Sequence, residues 1–330
     1  MYVMGVESSC DETSVAIVKD GKTVLANVVL SQIDIHKEYG GVVPEIASRE
    51  HVKGISLVFD QSIKKAGIQY KDIDLVAVTE GPGLIGSLLI GVAAAKVVAM
   101  NYDIPIIGIH HIAGHIYANN IEHDLVFPCL ALVVSGGHTE LILMDKHYQF
   151  KKIGETVDDA VGEAYDKVAR VLDLPYPGGP MVDKLAQQGK DLYHFPRPLI
   201  DSKDYQFSFS GLKSHVINLH HNLSQRHEVF ELADFCASFQ EAVTDVLVKK
   251  TKAAAKEYQV KQIIVAGGVA ANKGLRGKIS REITDIPVCF PSLGYCTDNA
   301  AMIAVAGFFK YQMNKKADDY TINGNSRLEL

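Results

Sequence analysis

His111 and His115, four residues apart, are the side chains whose spacing points most directly to a chemistry. On a helix they share one face with Cβ atoms about 6 Å apart, which suits joint ligation of a metal ion. The segment His110-His111-Ile112-Ala113-Gly114-His115 superficially matches the HExxH of zinc proteases, but Ile112 stands where a protease needs glutamate to activate water. A protease reading fails at that residue. Asp298, in Tyr295-Cys296-Thr297-Asp298-Asn299-Ala300, offers a third, anionic ligand at the start of an apolar helix. An aspartate there also suits an N-cap, and the histidines also read as an ordinary core or surface pair.

The histidine pair lies between two copies of a strand–turn–strand pattern. One runs Val6-Glu7-Ser8-Ser9-Cys10-Asp11-Glu12-Thr13-Ser14-Val15-Ala16-Ile17-Val18, the other Leu132-Val133-Val134-Ser135-Gly136-Gly137-His138-Thr139-Glu140-Leu141-Ile142-Leu143. Small turn residues leave backbone N–H groups uncovered, so such a turn can cradle an anion. Either hairpin alone would be unremarkable, since Ser and Gly are common in turns. The pair follows the plan of the actin-like ATPases: an α/β chain of two lobes with duplicated mixed sheets, their paired turns facing nucleotide phosphates and a metal held in the cleft between them.

The elements that must position these residues follow from apolar periodicity. Strands are expected at 2–7, 14–19, 23–30, 74–79, 105–109, 129–134, 140–145 and 262–266, and helices at 46–66, 84–101, 111–120, 158–173, 230–258, 272–283 and 298–312. A boundary near residue 125, at Glu122-His123-Asp124, divides a first lobe (1–125) from a second (126–330), and a final helix packing back on the first lobe is compatible with the pattern. Only the tail after Asp318 reads as frayed.

Gly81-Pro82-Gly83-Leu84-Ile85-Gly86 matches GxGxxG, yet it follows several earlier strands and lacks a properly placed acid, so it reads as a tight strand-to-helix turn. Val265-Ala266-Gly267-Gly268-Val269-Ala270-Ala271-Asn272 reads as a second such turn. Its glycines would admit a sugar or base beside Asn272, which equally suits a helix cap. Asp159, Glu163 and Asp166 would crowd one helical stripe, and Pro177-Gly178-Gly179-Pro180, before Asp183, reads as a loop open to close approach by a ligand.

Composition narrows the field further. The chain has 330 residues, 47% hydrophobic and 22% charged, with net charge −6, values of a soluble globular protein with no global attraction for nucleic acid. Any basic surface must be local, with the face bearing Lys249, Lys250, Lys252 and Lys256 one candidate and a solvated face its plain alternative. Five scattered cysteines with no CxxC pair argue for reduced thiols and against a zinc-thiolate site. The apolar stretch 84–100 is broken by Gly86, Ser87, Gly91 and Lys96 and reads as a buried helix; with no signal peptide, a cytoplasmic location away from membranes is expected.

Taken in order, Glu7-Ser8-Ser9-Cys10-Asp11-Glu12-Thr13, the His111/His115 pair, Ser135-Gly136-Gly137-His138-Thr139, Tyr176-Pro177-Gly178-Gly179-Pro180, Phe207-Ser208-Phe209-Ser210-Gly211-Leu212-Lys213, Ala266-Gly267-Gly268-Val269-Ala270-Ala271-Asn272 and Thr297-Asp298-Asn299-Ala300 closely resemble the bacterial TsaD family of tRNA threonylcarbamoyl transferases. The resemblance spans nearly the whole chain. It implies the actin-like fold and transfer of threonylcarbamoyl from threonylcarbamoyl-AMP to N6 of adenosine 37 in tRNAs reading ANN codons. It further implies one divalent metal, iron first and zinc second, on His111, His115 and Asp298, and substrate contacts at Val134, Ser135, Gly136, Gly137, His138, Asp166, Gly179, Asp183 and Asn272. Asp11 and Glu12 are the expected residues for activating or orienting the adenosine amine. A TsaB-like paralogue and a TsaE-like ATPase are the implied partners, with helix 45–65 a candidate docking surface. The alternatives are an actin-like small-molecule kinase, in whose chemistry the histidine pair has no place, and a non-catalytic regulatory paralogue, which should lack that pair.

Overall fold

Near-continuous apolar runs at residues 2–6 and 129–134 call for strands buried on both faces, and each is the middle strand of a five-stranded mixed sheet. The computed structural model describes residues 1–330. They divide into two units: Met1–Leu125, Lys146–Gln149 and Pro291–Leu330 form the first, Val126–Asp145 and Phe150–Phe290 the second.

In the first unit, β1 (Tyr2–Glu7), β2 (Glu12–Lys19) and β3 (Thr23–Ser31) form an antiparallel meander. The helices α1 (Ile33–Lys37) and α2 (Pro44–Ala66) lead to β4 (Leu75–Gly81), then α3 (Ile85–Tyr102), β5 (Ile106–His110) and α4 (His111–Ala118). The sheet order is β3-β2-β1-β4-β5, with β4 parallel to β1 and to β5.

The second unit repeats this plan. It contains β6 (Cys129–Val134), β7 (Thr139–Met144), β8 (Phe150–Glu155), α5 (Val161–Val171), α6 (Gly178–Ala186), α7 (Ser210–Gln225), α8 (Leu232–Glu257), β9 (Gln262–Ala266), α9 (Lys273–Glu282) and β10 (Val288–Cys289). Its order, β10-β9-β6-β7-β8, is that of the first sheet with β6 in the place of β1. The duplicated mixed sheets expected from the two hairpins are therefore present. Two further helices, α10 (Leu293–Cys296) and α11 (Ala300–Asn314), belong to the first unit.

Packing of α11 depends on small residues. A Cβ on Gly5 would lie 2.1 Å from the Ala300 carbonyl oxygen, and one on Gly307 would lie 2.4 Å from Ala77 Cβ. The other face of the sheet buries Met4, Val6, Val15, Ile17, Val76 and Val78 with α2 and α3 residues such as Val58, Phe59, Val92 and Ala95.

Four expectations change. The tail is anchored: Ile322 is buried, the Asn325 amide donates to the Glu80 carbonyl (2.7 Å), and the Gly108 amide donates to Asp318 (2.8 Å). Helix α3 is long and apolar enough by length and composition to cross a membrane, and it is one-third buried, not a core helix: Val97 and Met100 are 66% and 61% exposed. The lysine face on α8 is not a free basic surface, because Lys250 is buried and donates to Ser202 and to the Asp204 and Gln206 carbonyls, while Lys249 pairs with Asp201. Strand β8 and helices α6 and α7 lie outside the elements expected from apolar spacing. β8 is an edge strand with exposed Lys151 and Lys152, and α7 is rich in Ser, Asn and His.

The Gly5 contact is testable. Gly5→Val drives a branched side chain into the α11 backbone and is expected to cost about 2 kcal/mol or more, read as a lower urea midpoint. An unchanged midpoint would contradict the α11 packing.

Candidate functional site

His111 and His115 sit where β5 gives way directly to α4, at the carboxyl end of the parallel strands, the usual place for ligands in open α/β sheets. The His110 ring caps α4 by accepting from the Ile112 amide (3.2 Å), and its Nε2 lies 3.1 Å from the Leu328 carbonyl in the C-terminal tail. Every residue of α4 is buried, and Gly114 lets Ile303 of α11 approach closely. Asp298 just precedes α11. Asn299, not Asp298, caps that helix by accepting from the Met302 amide (3.2 Å), so Asp298 is spared the capping role that the sequence left open.

Asp298 Oδ1 lies 3.5 Å from His111 Nε2 and 3.1 Å from His115 Nε2, and the three ligand atoms lie within 4.8 Å of one another. Tetrahedral coordination with bonds near 2.1 Å separates ligand atoms by about 3.4 Å, so the two His–Asp distances already fit a shared ion. The His115 ring is 1% exposed, yet neither of its nitrogens has a hydrogen-bond partner. A buried imidazole left in this state is costly unless an ion completes it. Two imidazoles and one carboxylate with open positions is the donor set of non-haem Fe(II) centres, and zinc accepts the same ligands.

Around this trio lie residues that the sequence did not single out. Glu7, fully buried at the end of β1, accepts from the Ser9 amide (2.5 Å) and the Thr79 hydroxyl (2.6 Å) and lies 3.2 Å from His111 Nδ1. The available signal was an ionisable residue inside an otherwise apolar strand. Burial pushes the Glu7 carboxyl up, but the charge and hydrogen bond of His111 outweigh it and hold Glu7 below its ordinary value. Burial likewise pushes His111 down, and the charges of Asp298 and Glu7 override it, raising this imidazole to about 9.

The turn carrying Asp11 and Glu12 is fastened by its backbone. His51 of α2 bridges the Cys10 carbonyl (2.9 Å) and the Thr13 hydroxyl (2.7 Å), and the Gln32 amide donates to the Asp11 carbonyl (3.1 Å). Burial, followed by the charges of Asp298 and Asp11, holds Glu12 well above the usual carboxylate range.

The two duplicated turns differ. In the first, Ser8 and Ser9 are buried, the Ser9 amide is consumed by Glu7, and the Ser9 carbonyl accepts from the Leu84 amide. Its close neighbour is Gly83 of the GxGxxG segment, where a Cβ would meet the Ser9 carbonyl oxygen at 2.6 Å, as the tight-turn reading requires. The second turn is closed by Ser135 N–H to the His138 carbonyl (2.8 Å) and by His138 N–H to Ser135 Oγ (3.1 Å). Gly136 and Gly137 are exposed, their amides make no hydrogen bond within the chain, and a Cβ on either would meet nothing within 4 Å, although Gly162 packs on the Gly136 backbone. Val134, the last residue of β6, leads into this turn, and Gly267 (φ +92°) packs on the Val134 carbonyl.

The remaining second-unit residues converge on helix N-termini. Asp166 accepts from the Gly178 amide (2.8 Å), so Pro177-Gly178-Gly179-Pro180 starts α6 and is not an open loop. Asp183 accepts from the Lys273 (3.0 Å) and Gly274 (3.2 Å) amides of α9 and from Gln240 Nε2 (3.0 Å). Asn272 caps α9 by accepting from the Leu275 amide (2.8 Å), and its Nδ2 donates to Gln240 (2.7 Å). The expected stripe of three acids is also revised: Asp159 lies before α5, and Asp159 and Glu163 are both neutralised by Lys167, with Lys213 on Asp159 as well. Asp158 gathers Ser208, Phe209 and Ser210 at the start of α7, which accounts for that motif structurally.

Comparison with known proteins places these features in context. The family model described as TsaD, tRNA N6-adenosine threonylcarbamoyltransferase, matches residues 23–305. The chain is 58% identical over 333 residues to the tRNA N6-adenosine threonylcarbamoyltransferase of Bacillus subtilis, covering 100% of this chain and 96% of that protein. It is 56% identical over 330 residues to the protein of that name from Staphylococcus saprophyticus, covering 99% and 96%. Among solved structures it is similar to the activator of the 2-hydroxyisocaproyl-CoA dehydratase from Clostridium difficile (TM-score 0.55, 18% identity, 97% of this chain and 99% of that chain). It is also similar to HypF of T. kodakarensis (TM-score 0.64, 14% identity, 94% and 48%). These structural likenesses establish the actin-like ATPase fold.

A pH dependence follows for the metal-free protein. A histidine raised from about 6.5 when unfolded to about 9 when folded contributes stability that is full below the lower value and lost as pH rises through the higher. The melting temperature of metal-free protein is expected to fall between pH 7 and 9.5, and to fall less in His111→Gln. Metal binding near pH 7.5 should release about one proton, measured by calorimetry in buffers of different ionisation enthalpy; zero release would contradict a protonated His111.

Proposed function

The chain belongs to the tRNA N6-adenosine threonylcarbamoyltransferase family, and on that footing we propose that it transfers threonylcarbamoyl from threonylcarbamoyl-AMP to N6 of adenosine 37 in tRNAs reading ANN codons. The observation that carries the site assignment is the His111, His115 and Asp298 trio, with its matching spacing and a buried imidazole in need of a partner. These residues would hold one divalent ion, iron first and zinc second, which when bound supplies Lewis-acid polarisation of the carbamoyl or phosphate oxygens.

In the transfer, N6 bonds to the carbamoyl carbon, the bond from that carbon to the AMP phosphate oxygen breaks, and one N6 proton leaves. The Gly136 and Gly137 amides, uncovered and unengaged, are suited to the adenylate phosphate, with Ser135 and His138 closing the turn and Val134 setting its entry. Gly179, Asp166, Asp183 and Asn272 frame the nucleoside side, the last three also fixing helix starts. Glu12 and Asp11, on the turn at the start of β2, are assigned the N6 proton and the orientation of the amine.

The net charge of −6 leaves the chain poorly equipped to hold tRNA alone, so a TsaB-like paralogue and a TsaE-like ATPase complete the working assembly in the cytoplasm, away from membranes. The apolar outer surface of α2 and α3, with exposed Val52, Leu57, Leu89, Val97 and Met100, is the face assigned to the paralogue.

Incubation with threonylcarbamoyl-AMP and unmodified tRNA, followed by nucleoside mass spectrometry, should yield N6-threonylcarbamoyladenosine, with sustained turnover only when both partners are added. His115→Ala should lose metal and product without unfolding; full metal occupancy in that variant would exclude the site. A Cβ on Gly137 meets nothing within 4 Å, so Gly137→Val is expected to leave the melting temperature nearly unchanged while weakening adenylate binding at least tenfold by calorimetry, and equal affinity would remove the turn from the site.

A further inference from the structure

The geometry points to Glu7 as the positioning residue of the metal centre: we propose that it fixes which nitrogen of His111 faces the ion. The proposal rests on the reading of His111, His115 and Asp298 as metal ligands. His111 has two ring nitrogens with different surroundings. Nε2 faces Asp298 at 3.5 Å, while Nδ1 faces Glu7 Oε2 at 3.2 Å and Ser9 Oγ at 3.2 Å. A serine hydroxyl both donates and accepts, so Ser9 alone does not decide whether Nδ1 carries a proton. An ionised carboxylate only accepts. Glu7 therefore requires N–H at Nδ1 and leaves the Nε2 lone pair for the metal.

Glu7 is itself rigidly held. It is fully buried, and its two oxygens are anchored by the Ser9 amide at 2.5 Å and the Thr79 hydroxyl at 2.6 Å, groups on the β1–β2 turn and on β4. It cannot swing to another partner without leaving one of those donors buried and unpaired. No comparable group supports His115, whose Nδ1 has no partner. The pair is thus unequal: a buried anion faces the Nδ1 of one histidine, while the Nδ1 of the other has no partner.

The test uses the full chain stripped of metal and titrated with Zn²⁺, and anaerobically with Fe²⁺, against a chromophoric chelator. Glu7→Gln keeps the shape and replaces the carboxylate by a neutral amide; it should weaken metal binding roughly 10- to 100-fold. In the zinc-loaded parent, nitrogen NMR should show His111 protonated at Nδ1 with a strongly downfield proton, and in Glu7→Gln that proton should move upfield. Thr79→Val removes one support of Glu7 but leaves its carboxylate beside His111, so it should lower the melting temperature yet weaken metal binding less than Glu7→Gln does. That control separates positioning from general destabilisation. Parent-like affinity and an unmoved proton in Glu7→Gln, with binding lost in His115→Ala, would overturn the role of Glu7 and spare the metal site. Parent-like affinity in His115→Ala would overturn the site and the proposal with it.

Discussion

The close approach of α11 to the first sheet is the constraint on which the candidate site depends. Absence of a side chain at Gly5 and Gly307 lets the helix backbone rest against β1 and β4. The Ala300 amide donates to Ser14 Oγ (2.9 Å) and Asn299 caps the helix, so its first turn is pinned to β2. Asp298 is thereby carried to within 3.5 Å of two histidines that precede it by more than 180 residues. A larger residue on β1 would move the only carboxylate of the trio before it disturbed either histidine.

Much of this arrangement was legible from residue types and spacing, for a physical reason. Central strands such as β1, β4, β6 and β9 are apolar on both faces, α8 carries a long buried stripe and α11 is apolar on every side from Ala300 to Gly307, so burial wrote itself into composition. The histidine pair was legible because four-residue spacing on a helix specifies a shared face without further knowledge of the fold. What escaped notice depends on tertiary neighbours. Edge strand β8 carries lysines because its outer rim meets water, α6 begins in a Gly-Pro segment that looks like a loop, and α7 is polar along much of its length. Glu7 was named only as part of a motif, because its partners Thr79 and His111 are 72 and 104 residues away.

Duplication produced one topology and two different turns. Both sheets share the same strand order about β1 and β6, yet the first turn is packed shut by Ser8, Ser9 and Gly83 while the second leaves Gly136 and Gly137 bare. The closed turn engages its Ser9 amide with the buried Glu7 carboxylate beside His111; the open one leaves its amides unengaged. Asp166, Asp183 and Asn272 carry a related double duty, since groups assigned to substrate also fix the first turns of α6 and α9. Substitutions there should disturb helix placement along with binding, so loss of activity at those positions alone does not identify a contact with substrate.

The first unit draws on segments that lie before and after most of the second in sequence, Met1–Leu125 and Pro291–Leu330. During vectorial synthesis the ribosome therefore delivers β1, β4 and α4 long before the helix that covers them, and their apolar faces wait while the whole second unit is made. His111, His115 and Asp298 meet only after the second unit has been made. A nascent chain stalled before Asp298 would hold two histidines with no carboxylate, so prematurely terminated products would lack the complete trio.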